Sequence, residues 1–251
     1  MPSKMPVWLR LILALAVVRI LTGIAGYWLG GPVAPAESAA TSAPSLPLLL
    51  DILAFSAGAG LLLVGGREDP RARYLGAFFL VLATSLTNWS TGVLAIRLDG
   101  TARELVTAVK GLQADAFLPL LLWLFVREFP HSPGAREHRR LELGVWLSAA
   151  YGLILFTANL VKVGWPRDSP FPAALTPLVR DEIGYYPPIM SLMLAALVVL
   201  VLRTRKAPPR ARRRARVFVF GLLIGAVPIF ATSLLVTTIP PFQRALENHP
   251  G

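Results

Sequence analysis

Seven stretches of this chain are long enough, apolar enough and poor enough in charge to cross a lipid bilayer. They are Val7–Leu29, Leu46–Val64, Tyr74–Ile96, a fourth ending at Val126, Leu141–Val163, Pro187–Leu202 and Val217–Ile239. A spanning helix needs about 20 apolar residues, because the hydrocarbon core is about 30 Å thick and each residue rises about 1.5 Å. The fourth stretch is apolar only from about Leu112, so its helix is expected to begin near Leu105, giving a span over 105–126 with Lys110 snorkelling to the surface. The sixth is short, and Tyr185 and Tyr186 just before it are expected as interfacial anchors. Runs such as Leu192–Leu202 are apolar on every face, whereas barrel strands would alternate. The expectation is an all-α polytopic transmembrane bundle of about seven spans, with residues 1–251 forming a single membrane domain.

Composition agrees. Charged residues make up 16% and hydrophobic residues 55%, against about 25% charged in ordinary soluble domains. Twenty-two prolines and twenty glycines fit, since both are commoner in membrane helices than in soluble ones. The chain has no cysteine, which removes disulfides, thiolate catalysis and cysteine-ligated metal sites. A net charge of +11 would raise nucleic acid as a partner for a soluble protein. Here the basic residues sit in short loops between apolar runs, so they are read first as topology signals, and no nucleic-acid partner is expected.

The Lys and Arg residues are unevenly split between alternate loops. One side holds Lys4 and Arg10, then Arg67, Arg71 and Arg73, then Arg127, Arg136, Arg139 and Arg140, and finally the run Arg203–Arg216. The other side has none in Gly30–Ser45 and few elsewhere. The positive-inside rule then places the N-terminus in the cytoplasm, and seven spans place the C-terminus of this chain outside. A cleaved signal peptide is the rival reading of the first span, but that span is longer than an apolar signal region of about 7–15 residues.

The outer loops differ in character. Gly30–Ser45 is rich in Pro, Ala, Ser and Gly and reads as flexible. Gly164–Tyr186 carries Trp165, Phe171, several prolines, Asp168, Asp181 and Glu182, and reads either as a lid or as a disordered connection. No internal repeat is visible, which disfavours inverted-repeat transporters. On the basic side, Arg205, Lys206, Arg210, Arg212, Arg213 and Arg214 either set topology or contact acidic lipid headgroups.

Ionisable and polar groups inside spans are expensive and usually face the bundle interior. Arg19 lies near the middle of the first span, Asp51 near the outer end of the second, and Asp115 near the outer end of the fourth. Asn88 and Trp89 fall in the outer half of the third span and Asn159 in that of the fifth. These residues collect on the outer side, where they could line a pocket open to the exterior, with Arg19 and Asp51 as an ion pair. The plainer alternative is that the aspartates are interfacial and the asparagines join helices. Asn88-Trp89-Ser90 matches a glycosylation sequon but lies within a span. Gly221 and Gly225 form a close-packing pair in the seventh span, and Pro228 there and Pro119 in the fourth are expected to kink their helices. No zinc-binding HExxH, nucleophile elbow or phosphate-binding loop occurs, so no catalytic residue, metal or cofactor is assigned and this chain alone is not expected to be an enzyme.

Three stretches carry a family resemblance. They are Arg71–Leu80 (Arg-Ala-Arg-Tyr-Leu-Gly-Ala-Phe-Phe-Leu), Leu124–Pro130 (Leu-Phe-Val-Arg-Glu-Phe-Pro), and Arg214–Pro228, with its basic entry, glycine pair and proline. Together they resemble the N-terminal multi-pass region of bacterial ComP-like sensor histidine kinases, and equally the membrane regions fused to PP2C-type phosphatases. The resemblance covers roughly residues 46–242. It implies a sensory input domain that passes an extracellular or lipid-borne ligand, or the state of the membrane, to a cytoplasmic kinase or phosphatase domain. It also implies a homodimer formed through the full-length protein. The family usually has one more span before its catalytic domains, so both are expected beyond Gly251. Glu137-His138 does not match the kinase phospho-acceptor motif. A small polytopic transporter or channel-like protein is the competing reading, and it requires charged residues along a path through both leaflets.

Overall fold

The computed structural model describes residues 5–30, 46–130, 134–166, 168–180, 184–209, 212–213, 215–216 and 219–220. Eight α-helices are described: α1 Val7–Gly30, α2 Leu46–Gly65, α3 Pro70–Leu86, α4 Asn88–Arg97, α5 Gly100–Gly111, α6 Leu118–Glu128, α7 Ala135–Gly164 and α8 Tyr186–Lys206. Two 3-10 turns, Ala114–Phe117 and Thr176–Leu178, complete the secondary structure, with no strand among the described residues. The fold is all-helical. By length and composition five helical stretches can cross a membrane, or six if α3 and α4 form one span. The seventh expected span, Val217–Ile239, with Gly221, Gly225 and Pro228, falls almost wholly outside the described residues; so do most of Gly30–Ser45 and Arg210, Arg214, Asp181 and Glu182.

Local chemistry sets the helix ends. Asp69 caps α3 by accepting a hydrogen bond from the Arg71 backbone N–H at 2.9 Å, and Pro70 occupies the first turn, where no N–H is needed. Proline likewise opens α8, and α8 stops at Ala207, just before Pro208 and Pro209.

Two expected continuous spans are broken. The third is the pair α3 and α4, bent by 46° at Thr87. Around the bend the hydroxyls of Thr84, Ser85, Thr87, Ser90 and Thr91 all donate back to carbonyls three or four residues earlier. Such back-bonding competes with the helix ladder and bends helices. The fourth expected span divides into α5 and α6, because Leu112 and Gln113 leave helical geometry. Pro119 does not kink that helix as expected. It sits in the first turn of α6, downstream of the break, where proline costs little.

The core forms around α6. Every residue from Leu118 to Val126 is buried, and α6 packs against α3, α7 and α8. Helices α1 and α4 touch closely because Gly23 and Gly26 have no side chains: a Cβ on Gly26 would lie 2.1 Å from the Ser90 carbonyl oxygen, and one on Gly23 would lie 2.3 Å from Thr87 Cβ. Leu11, Leu21, Leu61, Leu153, Leu194 and Val198 point outward, as do Trp28 and Trp146. So broad an apolar exterior is what lipid-facing surfaces require. Helix α5 is different, with none of its residues buried and both Arg103 and Glu104 exposed.

Candidate functional site: a buried polar cluster at three chain breaks

One hydrogen-bonded cluster interrupts the apolar core. It forms where the chain leaves helical geometry between α5 and α6, where α3 meets α4, and where the loop after α7 enters α8. Arg19 reaches it from the unbroken helix α1. The Gln113 side-chain oxygen accepts from two guanidiniums at once, Arg19 Nη1 at 2.8 Å and Arg180 Nη1 at 2.6 Å. Arg19 Nη1 also donates to the Leu112 carbonyl at 3.1 Å. Arg180 forms an ion pair with Asp115 and donates to the Ser85 carbonyl at 3.3 Å. The second oxygen of Asp115 accepts from the Tyr185 hydroxyl at 2.9 Å. Asn159 on α7 braces the loop: its side-chain oxygen accepts from the Arg180 backbone N–H at 2.9 Å, and its amide donates to the Leu155 and Leu178 carbonyls.

Electrostatically the cluster is lopsided. Arg19 and Tyr185 are fully enclosed, and Asp115, Gln113, Asn159 and Arg180 are nearly so. Among the described residues its two guanidiniums face one carboxylate. A buried charge is tolerated when it is paired and its donors are satisfied. Asp115 and the Gln113 oxygen serve that purpose for Arg180 and for one nitrogen of Arg19. Among the described residues the Nε and Nη2 groups of Arg19 have no hydrogen-bond partner. Burial, and after it the neighbouring Asp115 carboxylate, raises the Tyr185 phenol well above its ordinary value, so this group stays protonated and donates.

Three of the residues expected to line an outer pocket do come together: Arg19, Asp115 and Asn159. Asp51 does not join them. It is exposed on α2, and the expected Arg19–Asp51 ion pair is not formed. Close packing of α1 on α4 turns Arg19 toward the α5–α6 break instead. Asn88 and Trp89 open α4 but take no part in the cluster's hydrogen bonds, and the Asn88 side-chain oxygen is buried without a partner among the described residues. The cluster is enclosed rather than open to the exterior. Sequence reasoning passed over Gln113 and Arg180, and it expected Tyr185 as an interfacial anchor, whereas Tyr185 is fully buried with its hydroxyl on Asp115. Their one signal was proximity: Gln113 lies two residues from Asp115, and Arg180 and Tyr185 lie in the connection between α7 and α8. That loop returns into the bundle, where Tyr151 donates to the Gly184 carbonyl at 2.8 Å.

A second charged group sits at the other end of the bundle. Arg203 on α8 is buried and donates to the terminal carbonyls of α6, at 3.0 Å for both Arg127 and Phe129 and also to Val126. Its Nε lies 3.0 Å from the Glu137 carboxylate at the start of α7. A cation over exposed helix C-terminal carbonyls satisfies their hydrogen bonding and opposes the helix dipole. Between the two charged groups the interior is largely apolar, with Leu121, Leu122, Phe125, Val81, Leu197 and Leu200 in the core and the Ser148 hydroxyl of α7 buried beside them. Among the described residues no group of His, Asp and Glu is arranged to hold a metal. No protein-family model matches the chain, no curated protein matches it, and no solved structure matches its fold.

Proposed function

We propose that this chain is the membrane-embedded input half of a bacterial signalling protein. It lies in the cytoplasmic membrane with its N-terminus inside, and it passes a ligand signal or the state of the membrane to a kinase or phosphatase domain beyond Gly251. The observation that carries this reading is the enclosed cluster of Arg19, Gln113, Asp115, Arg180 and Tyr185. It ties α1 to three breaks in the helical chain, where rearrangement requires little unwinding. A ligand bearing an acidic or carbonyl oxygen would offer the acceptor that Arg19 Nε and Nη2 lack among the described residues. Preference for one packing over another is what lets a ligand shift a conformational equilibrium, and couplings of about 1–3 kcal/mol are typical.

The competing transporter reading needs polar groups along a path through both leaflets. The apolar layer between the cluster and Arg203 works against it. The two readings part experimentally at Ser85, whose carbonyl accepts from Arg180. Because the chain has no native cysteine, Ser85→Cys introduces a single thiol. Because the cluster is enclosed, a membrane-impermeant maleimide should label it only slowly from the outer side of right-side-out vesicles and not at all from everted ones. Labelling from both sides, or solute accumulation in proteoliposomes, would overturn the input-domain reading.

A further inference from the structure

The basic end of the bundle holds a cavity of about 460 Å³ between α6, α7 and α8. Its floor is the ring of Trp123, fixed in place by a hydrogen bond from its indole N–H to the Leu192 carbonyl at 3.1 Å. The ring fits because position 144 is glycine: a Cβ there would lie 2.5 Å from the indole. Leu141 and Val199 form apolar walls. The rim is basic, with Arg140 from α7 and Lys206 from α8, and Arg203 stands deeper. The cavity's one acid, Glu137, is engaged by Arg203. Arg140 and Lys206 are exposed and form no ion pair among the described residues. From Leu202, a shallow apolar groove of about 220 Å³ continues along α8 past Leu194, Val198 and Val201, with Arg205 at its edge.

This combination has a charge end and a tail end. Two exposed cations line a pocket that shares Leu202 with an apolar groove along α8. A free phosphate would use only the rim. A neutral lipid would use only the groove. We infer that this is a binding site for one anionic phospholipid, with its phosphate held between Arg140 and Lys206 and an acyl chain laid along Leu202, Val198 and Leu194. Attraction of single basic groups near a membrane to anionic lipid is substantial, and basic pockets between helices bind phosphorylated headgroups. The site is distinct from the polar cluster at the other end and does not depend on which signal that cluster receives.

The test is native mass spectrometry of the full chain released from micelles that contain phosphatidylglycerol or phosphatidylcholine. The wild type should retain one phosphatidylglycerol per chain after phosphatidylcholine has been stripped. Arg140→Gln with Lys206→Gln should weaken that retention by roughly 30-fold. Arg139→Gln with Arg213→Gln removes the same charge from exposed positions that do not line the cavity, and should leave retention unchanged. Equal loss in both double variants would overturn the inference, because it would mean diffuse attraction. Displacement of the lipid by an equal concentration of inorganic phosphate would also overturn it, because the tail would then contribute nothing.

Discussion

Asp115 is the single carboxylate facing Arg19 and Arg180 among the described residues of the cluster, so the two sides of the charge balance are not equivalent. Asp115→Asn leaves two buried guanidiniums sharing amide oxygens. Breaking a buried pair in this way typically costs about 3–5 kcal/mol. Arg19→Met removes the surplus cation along with its unsatisfied nitrogens and should cost distinctly less. Thermal unfolding of purified protein in detergent, followed by loss of the monodisperse peak, checks the order. The charge argument fails if Arg19→Met is the more damaging change. At this scale the sequence was partly legible. A lone arginine or aspartate inside an apolar run is conspicuous, which is why Arg19 and Asp115 could be singled out. The identity of their partners was not legible. Gln113 and Arg180 meet across 67 residues of chain, and nothing in local spacing encodes so distant a contact. Asp51, equally conspicuous, faces outward on α2 because α1 makes its main contacts with α4 and α3.

Among the elements, glycine separates helices that must touch from helices that need not. Gly26→Ala puts a methyl group into the Ser90 carbonyl and should destabilise the α1–α4 contact by about 1–3 kcal/mol, the usual cost of overpacking. Gly60, three-quarters of the way along α2, has nothing within 4 Å of its would-be Cβ. There alanine should stabilise, by about 0.5–1 kcal/mol, because the unfolded chain loses freedom at no steric cost. Unfolding midpoints that move in opposite directions would bear this out; equal midpoints for Gly26→Ala and wild type would rule out the close contact. Helix existence was readable from apolar length alone, and α1, α2, α7 and α8 lie close to where the sequence put them. The breaks were not readable. Thr84, Ser85, Thr87, Ser90 and Thr91 are individually acceptable in a membrane helix, and only their combined back-bonding bends it. Pro119 is a residue that usually signals a kink, but here it marks a beginning.

For the whole molecule, the split of basic residues between alternate loops is the strongest statement of orientation. Arg203 and Glu137 gather the ends of α6, α7 and α8 at the basic face, while the polar cluster lies toward the opposite one. Alkaline phosphatase fused after Gly251 should be active, and a fluorescent protein fused there should be dark, if an odd number of spans follows a cytoplasmic N-terminus. The reverse pattern would require an even number of spans and would place both termini in the cytoplasm.

Helix α7 joins the two charged ends. It has 30 residues, hence a length of about 45 Å, half as long again as the hydrocarbon it would cross. Arg140 near one end borders the basic cavity, and Asn159 near the other braces Arg180. The two residues are separated by about 28 Å of unbroken helix. Were such a helix to rock by about 10° about its middle, each end would swing by about 4 Å in opposite directions. The proposed lipid at one end and the hydrogen bond fastened at the other would then be two hands on the same lever.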